Sequence, residues 1–201
     1  MGETTSEEKN RLIVEAATKR FAYYGFTKVT MDEIAADVGM GKASLYYYFA
    51  TKEKLFQAVI ESEREEFVTK IEALINKNSS SAQKLKEYVK LRLESFRDLV
   101  NIGSITLKQS SEANAIFRTL LKSFMEREKK LLETILNEGK RNNEFSISTI
   151  TATAELFLHI LQGMRLRTIN EAPHRIEEEQ FQSLQKEMEL FVSIFIKGIQ
   201  K

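Results

Sequence analysis

Apolar positions recur three and four residues apart along the whole chain and nowhere alternate at period two, so the pattern predicts helices throughout. Thr5 followed by Glu8 is a capping box, and Gly25 closes a first helix over residues 6–24 whose Leu12, Ile13, Ala16, Ala17 and Phe21 share one face. Thr30 with Glu33 repeats the box; this second helix stops at Gly39, with Ile34, Ala35 and Val38 inward. After the turn Gly39-Met40-Gly41 comes a third short helix, Lys42 to Phe49, and Thr51 then caps a fourth, from Lys52 to Asn76. Three consecutive serines, 79–81, mark the first clear break, with Ser81 placed to cap a helix from Ala82 to Val100. A short helix near Ile105–Gln109 and long ones over Glu112–Asn142, Thr149–Asn170 and Glu177–Gln200 complete the prediction. The expected fold is all-α: an N-terminal three-helix helix-turn-helix domain, residues 1–54, joined by the long fourth helix to a larger C-terminal helical domain, residues 55–201.

Charge changes the picture only locally. Lys and Arg number 30 against 29 Asp and Glu, so the whole chain has no pull on a polyanion, yet residues 9–54 hold eight bases against five acids. The absence of Cys excludes disulfides and thiol chemistry, and with two His no metal centre or cofactor is expected. No apolar run approaches the roughly 18–20 residues of a membrane span, so a cytoplasmic protein without a membrane partner is expected. No carboxylate pair or nucleophile with a base stands out, so an enzyme is not expected.

The third helix carries the candidate chemistry. At about 100° per residue, Leu45 and Phe49 fall on one side, and Ala43, Tyr46 and Tyr47 on the other, with Ser44 at the edge. Two exposed tyrosines on a two-turn helix need a partner, and DNA supplies one: their hydroxyls reach phosphates while the rings pack on sugars or thymine methyls. Lys42 and Lys52 bracket the helix, and the amides at Thr30 and Met31 offer an anion site. The plainer reading makes Tyr46 to Tyr48 a core cluster under the fourth helix and the lysines solvated charge; Tyr48, on the Leu45 side, suits the core.

The run Thr30-Met-Asp-Glu-Ile-Ala-Ala-Asp-Val-Gly-Met-Gly-Lys-Ala-Ser-Leu-Tyr-Tyr-Tyr-Phe-Ala-Thr-Lys-Glu-Lys-Leu-Phe56 resembles the DNA-binding signature of the TetR/AcrR regulators, over Asn10 to Ile60. The resemblance implies a homodimer on double-stranded DNA with an inverted-repeat operator, released by a small-molecule effector. It also implies operator contacts at Thr30, Lys42, Ala43, Ser44, Tyr46, Tyr47 and Lys52. Gly41 departs from the family's usual Ser or Thr, and Tyr48 from a frequent His.

The C-terminal domain is expected to bind ligand and to dimerise. Its ring and thioether content suits an apolar or amphipathic effector, with Phe96, Phe117, Phe124, His159 and Gln162 as candidate lining. His159 stands beside Leu158, Ile160 and Leu161, which fits a core position and a pocket equally. Leu156, Ile160 and Gly163 on one helix, with Phe181, Leu184, Met188, Phe191 and Phe195 on the next, are expected to face a second copy. The function expected is that of a ligand-responsive transcriptional repressor. The rival is a helical ligand-binding or scaffold protein whose helix-turn-helix no longer meets DNA.

Overall fold

Capping side chains set the first helix starts in the computed structural model of the chain, which describes residues 5–106, 111–171 and 176–201, with the side chains at 98–121 and 123 set aside. α1 (Ser6–Tyr24) begins at Thr5, whose hydroxyl accepts from the Glu8 amide while the Glu8 carboxylate accepts from the Thr5 amide. Thr30 and Glu33 repeat this reciprocal pair at α2 (Met31–Asp37). Gly39, at φ 65°, then turns the chain into α3 (Lys42–Tyr48), a left-handed step that costs glycine little. α4 (Lys52–Ile75), α5 (Ser81–Thr106), α6 (Ser111–Arg141), α7 (Ile150–Glu171) and α8 (Glu178–Ile199) follow.

Two local expectations change. The break expected between Val100 and Ile105 is absent, since α5 runs on through Thr106; the rest of the short helix expected near Ile105–Gln109 lies outside the described residues. Gly103 lies inside α5, and one interior glycine costs only about 1 kcal/mol, which a long helix absorbs. The cap of α5 is Ser80 rather than Ser81, its hydroxyl accepting from the Gln83 amide at 3.2 Å. The Glu144 carboxylate takes the next orphan amides, Ser81 at 3.1 Å and Ala82 at 3.4 Å.

The chain divides into two compact units, one of residues up to Arg64 with 98–120, the other of 65–97 with 121–201. In the first, Ile13, Ala17 and Phe21 of α1 pack with Ile34 and Ala35 of α2, Leu45 of α3, and Leu55, Phe56, Val59 and Ile60 of α4. The Phe21, Phe26 and Phe56 rings meet at centroid distances of 5.0 to 5.7 Å. Arg20 adds a two-pronged hydrogen bond to Asp37, tying α1 to the end of α2.

In the second unit, α7 and α8 pack through Phe157, Phe191 and Phe195. The C-terminus is hooked back: the Ser146 amide donates to Ile199 at 2.7 Å and the Lys201 amide to Glu144 at 3.1 Å, around an antiparallel bridge between Phe145 and Gln200. Buried Lys84 spends all three N–H groups, on the Ile75 carbonyl at 2.7 Å and both Glu138 oxygens at 2.8 and 2.9 Å. Phe181, Leu184 and Met188, expected to face a second copy, are buried in their own chain. The ring of Phe181 packs 5.9 Å from Phe96 of α5, which turns that side of α8 inward. The exposed large apolar residues of these helices are Leu190 and Ile194 on α8, and on α7 Leu166 and Leu156, the last as expected. Among the described residues no helix is long and apolar enough to cross a membrane.

Candidate nucleic-acid interface

α3 has one side to bury and uses Leu45 and the following Phe49 for it. The opposite side must then face out: Ala43 and Ser44 are exposed, Tyr46 is 41% exposed and Tyr47 83%. Tyr48 packs on the core and meets the Tyr47 ring edge-on at 5.4 Å, so the core tyrosine props up the exposed one. An outward ring resting on a partly buried one loses less freedom when a partner arrives.

The polar residues around α3 are partly engaged within the chain. The exposed Thr30 hydroxyl accepts from the Glu33 amide at 3.3 Å and donates to the Glu33 carboxylate at 2.9 Å. The Thr30 amide, donating to the same carboxylate at 2.8 Å, and then the hydroxyl hold the Glu33 carboxyl below the ordinary range. Lys42 Nζ lies 2.9 Å from Asp32, both exposed, and that hydrogen bond raises the lysine's pKa. An exposed pair of this kind holds its side chains loosely. Lys52 is placed differently from a solvated cation: its ammonium donates to the Phe26 and Val29 carbonyls at 2.9 and 3.0 Å and lies 4.5 Å from the centre of the Phe26 ring. Burial draws its pKa down. Two of its three N–H groups pin the α1–α2 connection to α4, leaving one for a phosphate.

Lys9 and Leu12 of α1 line a concavity of about 750 Å³ together with Gly39, Gly41, Ala43, Ser44 and Tyr47. Sequence reasoning missed Lys9 and grouped Leu12 on one face with Ile13, Ala17 and Phe21; those three are buried, whereas Leu12 is exposed and borders this surface. The signal was present in the basic run at Lys9 and Arg11, but its phase relative to α3 is a tertiary matter.

Gly41 caps α3 with its backbone alone, and a Cβ there would touch nothing within 4 Å at an ordinary φ of −70°. Gly41→Ser is therefore expected to raise stability by a few tenths of a kcal/mol, read as a later denaturation midpoint. An unchanged or earlier midpoint would show that the hydroxyl finds no amide to accept from.

The effector candidates take different placements. Phe96 is buried, with the Arg165 guanidinium 4.4 Å from its ring centre. Phe124 is partly buried, 5.5 Å from the Phe67 ring. Gln162 is partly buried with an enclosed, unpaired Oε1. The side chain of Phe117 lies outside the described residues. His159 is exposed, which corrects its assignment to a pocket lining: Phe157, Leu158 and Leu161 take the inward side of α7, and His159 shares the outer side with Leu156 and Gly163.

Sequence reasoning missed the most unusual feature of this unit. The Tyr88 hydroxyl donates to Glu128 Oε1 at 2.5 Å; Arg92 donates from Nε to the same oxygen at 2.5 Å and from Nη2 to Oε2 at 3.2 Å. All three side chains are buried. The available signal was a charge inside an apolar stripe: Arg92 stands four residues from both Tyr88 and Phe96, among Leu85, Val89 and Leu93.

Comparison with known proteins bears on both units. Residues 13–59 match the family model of bacterial regulatory proteins, tetR family. The chain is similar to the crystal structure of a transcriptional regulator from Cytophaga hutchinsonii ATCC 33406, with 38% identity, a TM-score of 0.88, and 95% of this chain and 98% of that one covered. A TetR transcription regulator from Haloarcula marismortui ATCC 43049 shares the fold at 18% identity and a TM-score of 0.76, over 97% of this chain and 100% of that one. The HTH-type transcriptional regulator RutR of Escherichia coli (strain K12) is 32% identical over 90 residues, 45% of this chain, which spans 42% of that relative's length.

Proposed function

This chain belongs to the tetR family of bacterial regulatory proteins, and on that premise we propose that it is a cytoplasmic, ligand-responsive repressor, a homodimer released from an inverted-repeat operator by a small apolar or amphipathic effector. The observation that carries the reading is the pair Tyr46 and Tyr47, held outward on α3 by Leu45 and Phe49 behind it. In this reading Thr30, Lys42 and Lys52 meet phosphates, and Ala43, Ser44, Tyr46 and Tyr47 meet sugars and base edges. Exposed Leu156 and Gly163 on α7 and Leu190 and Ile194 on α8 supply apolar area for a second copy, with Ile160 at the margin. Two-fold symmetry then sets the recognition helices about 34 to 36 Å apart, one turn of duplex. α4 contributes residues to both compact units, which gives the effector a continuous element through which to change that spacing. The coupling has a typical size of about 1–3 kcal/mol and is reciprocal, so operator DNA weakens effector binding by the same factor.

Selection of bound fragments from a random duplex pool tests this directly. The expected product is an inverted repeat with half-sites one helical turn apart, bound with a steep salt dependence. Failure to enrich any sequence would favour the scaffold reading. Tyr47→Ala is expected to weaken the selected operator about tenfold or more, the size of one lost groove contact. Its melting temperature should match the parent, because the ring is solvated in the free protein.

A further inference from the structure

Four polar side chains meet inside the second unit, and their charges do not cancel. Arg92, 4% exposed, and Glu128, 1% exposed, form the hydrogen-bonded pair already described, with the neutral Tyr88 hydroxyl on the same carboxylate. Burial works against the Arg92 charge, but Glu128 and Tyr88 more than offset it and raise its pKa above the ordinary value. Arg165 joins from α7, its guanidinium over the ring of Phe96, one turn along α5 from Arg92. Burial, reinforced by the like charge of Arg92, draws Arg165 down to about 9, so it stays protonated at neutral pH. Two guanidiniums against one carboxylate leave a single positive charge in an aromatic surrounding.

Donors are left over as well. Arg92 Nη1 and Arg165 Nε are enclosed and reach no acceptor among the described residues, and Gln162 Oε1, one turn before Arg165 on α7, is enclosed and unpaired among them too. A charged donor enclosed without an acceptor is among the costlier defects a fold can carry, and here two stand together. An anion that accepts from both would remove the defect and the excess charge in one step.

We propose that this cluster is the binding site for the carboxylate of an apolar monocarboxylate, which is the effector class of the repressor reading on which this inference rests. The carboxylate accepts from Arg92 Nη1 and Arg165 Nε, one charge-assisted hydrogen bond from each guanidinium. Rotation of the Gln162 amide presents an N–H in place of its unpaired oxygen. Glu128 acts as a positioning residue, holding Arg92 through its other two nitrogens. Aromatic rings surround the cluster and suit an apolar remainder: Phe96 beneath Arg165, and Phe67 and Phe157 at 6.4 and 6.1 Å from Tyr88. A phosphate monoester brings about −1.5 to −2 charges and overshoots the one positive charge available. A neutral ligand leaves that charge unanswered, and a cation adds to it.

The test uses the full chain with benzoate, octanoate and dodecanoate, each against the alcohol of the same skeleton, by calorimetric titration at neutral pH. At least one carboxylate is expected to bind about tenfold or more tighter than its alcohol, the worth of one charge-assisted hydrogen bond. Arg165→Met should abolish that preference while leaving alcohol binding in place, and Arg165→Lys should keep part of it. Equal binding of acid and alcohol, no binding by any of the three acids, or an unchanged preference in Arg165→Met overturns the proposal. The wild-type comparison decides even if a variant does not fold. Carboxylate binding by a protein that selects no DNA sequence would sink the repressor reading and leave the anion site standing. A selected operator released only by neutral or cationic molecules would do the reverse.

Discussion

Glu128→Leu is expected to destabilise the second unit by about 3–5 kcal/mol, the cost of removing one partner from a buried ion pair. The loss of the pair's attraction is the smaller part. Arg92 would be left with no counter-charge, its Nε and Nη2 bonds broken, and Arg165 close enough to oppose it. Tyr88 would lose its acceptor at the same time. Arg165→Met should go the other way, neutral or stabilising, because it removes the uncompensated member of the cluster. The sign follows from its pKa: a base harder to protonate folded than unfolded lowers stability in full at every pH below about 9. Urea unfolding of both variants at pH 7 separates these outcomes; a loss of less than about 1 kcal/mol in Glu128→Leu would mean that water replaces the carboxylate without penalty.

Gly139→Ala is expected to destabilise by about 3 kcal/mol, the upper end of overpacking, although the same change in an open helix gains up to about 1 kcal/mol. A Cβ at this point of α6 would lie 2.2 and 2.5 Å from two ring carbons of Phe145 and 2.9 Å from Ser81 Cβ. Phe145 cannot retreat cheaply, since it is buried and its backbone bridges to Gln200 in the C-terminal hook. Gly198→Ala is the control: nothing lies within 4 Å of its Cβ, and a small gain in melting temperature is expected. Should both variants gain, the packing of α6 against Phe145 and Ser81 is looser than the geometry described.

What could be read from the chain alone was what is settled within a few residues. Thr5 with Glu8 and Thr30 with Glu33 are closed by hydrogen bonds three residues apart, so the starts of α1 and α2 follow from their sequence. The outward Tyr47 follows as directly, because Leu45 and Phe49 are four apart and leave α3 only one other side. The all-α class and the recognition helix were therefore legible.

Tertiary structure decided whatever depends on which neighbour a helix meets. Periodicity orients an apolar stripe about its own axis only, so Phe181, Leu184 and Met188 suited a partner's surface, yet all three are buried, Phe181 against Phe96 of α5, and His159 suited a pocket, yet α7 turns it out. Lys52 binds carbonyls 23 and 26 residues away, and Arg92 a carboxylate 36 away. Sequence therefore determined the helices and the face that one of them shows to solvent. The charge cluster of Arg92, Glu128 and Arg165 came only from packing, because an ion pair across helices needs two surfaces brought together that no local rule relates.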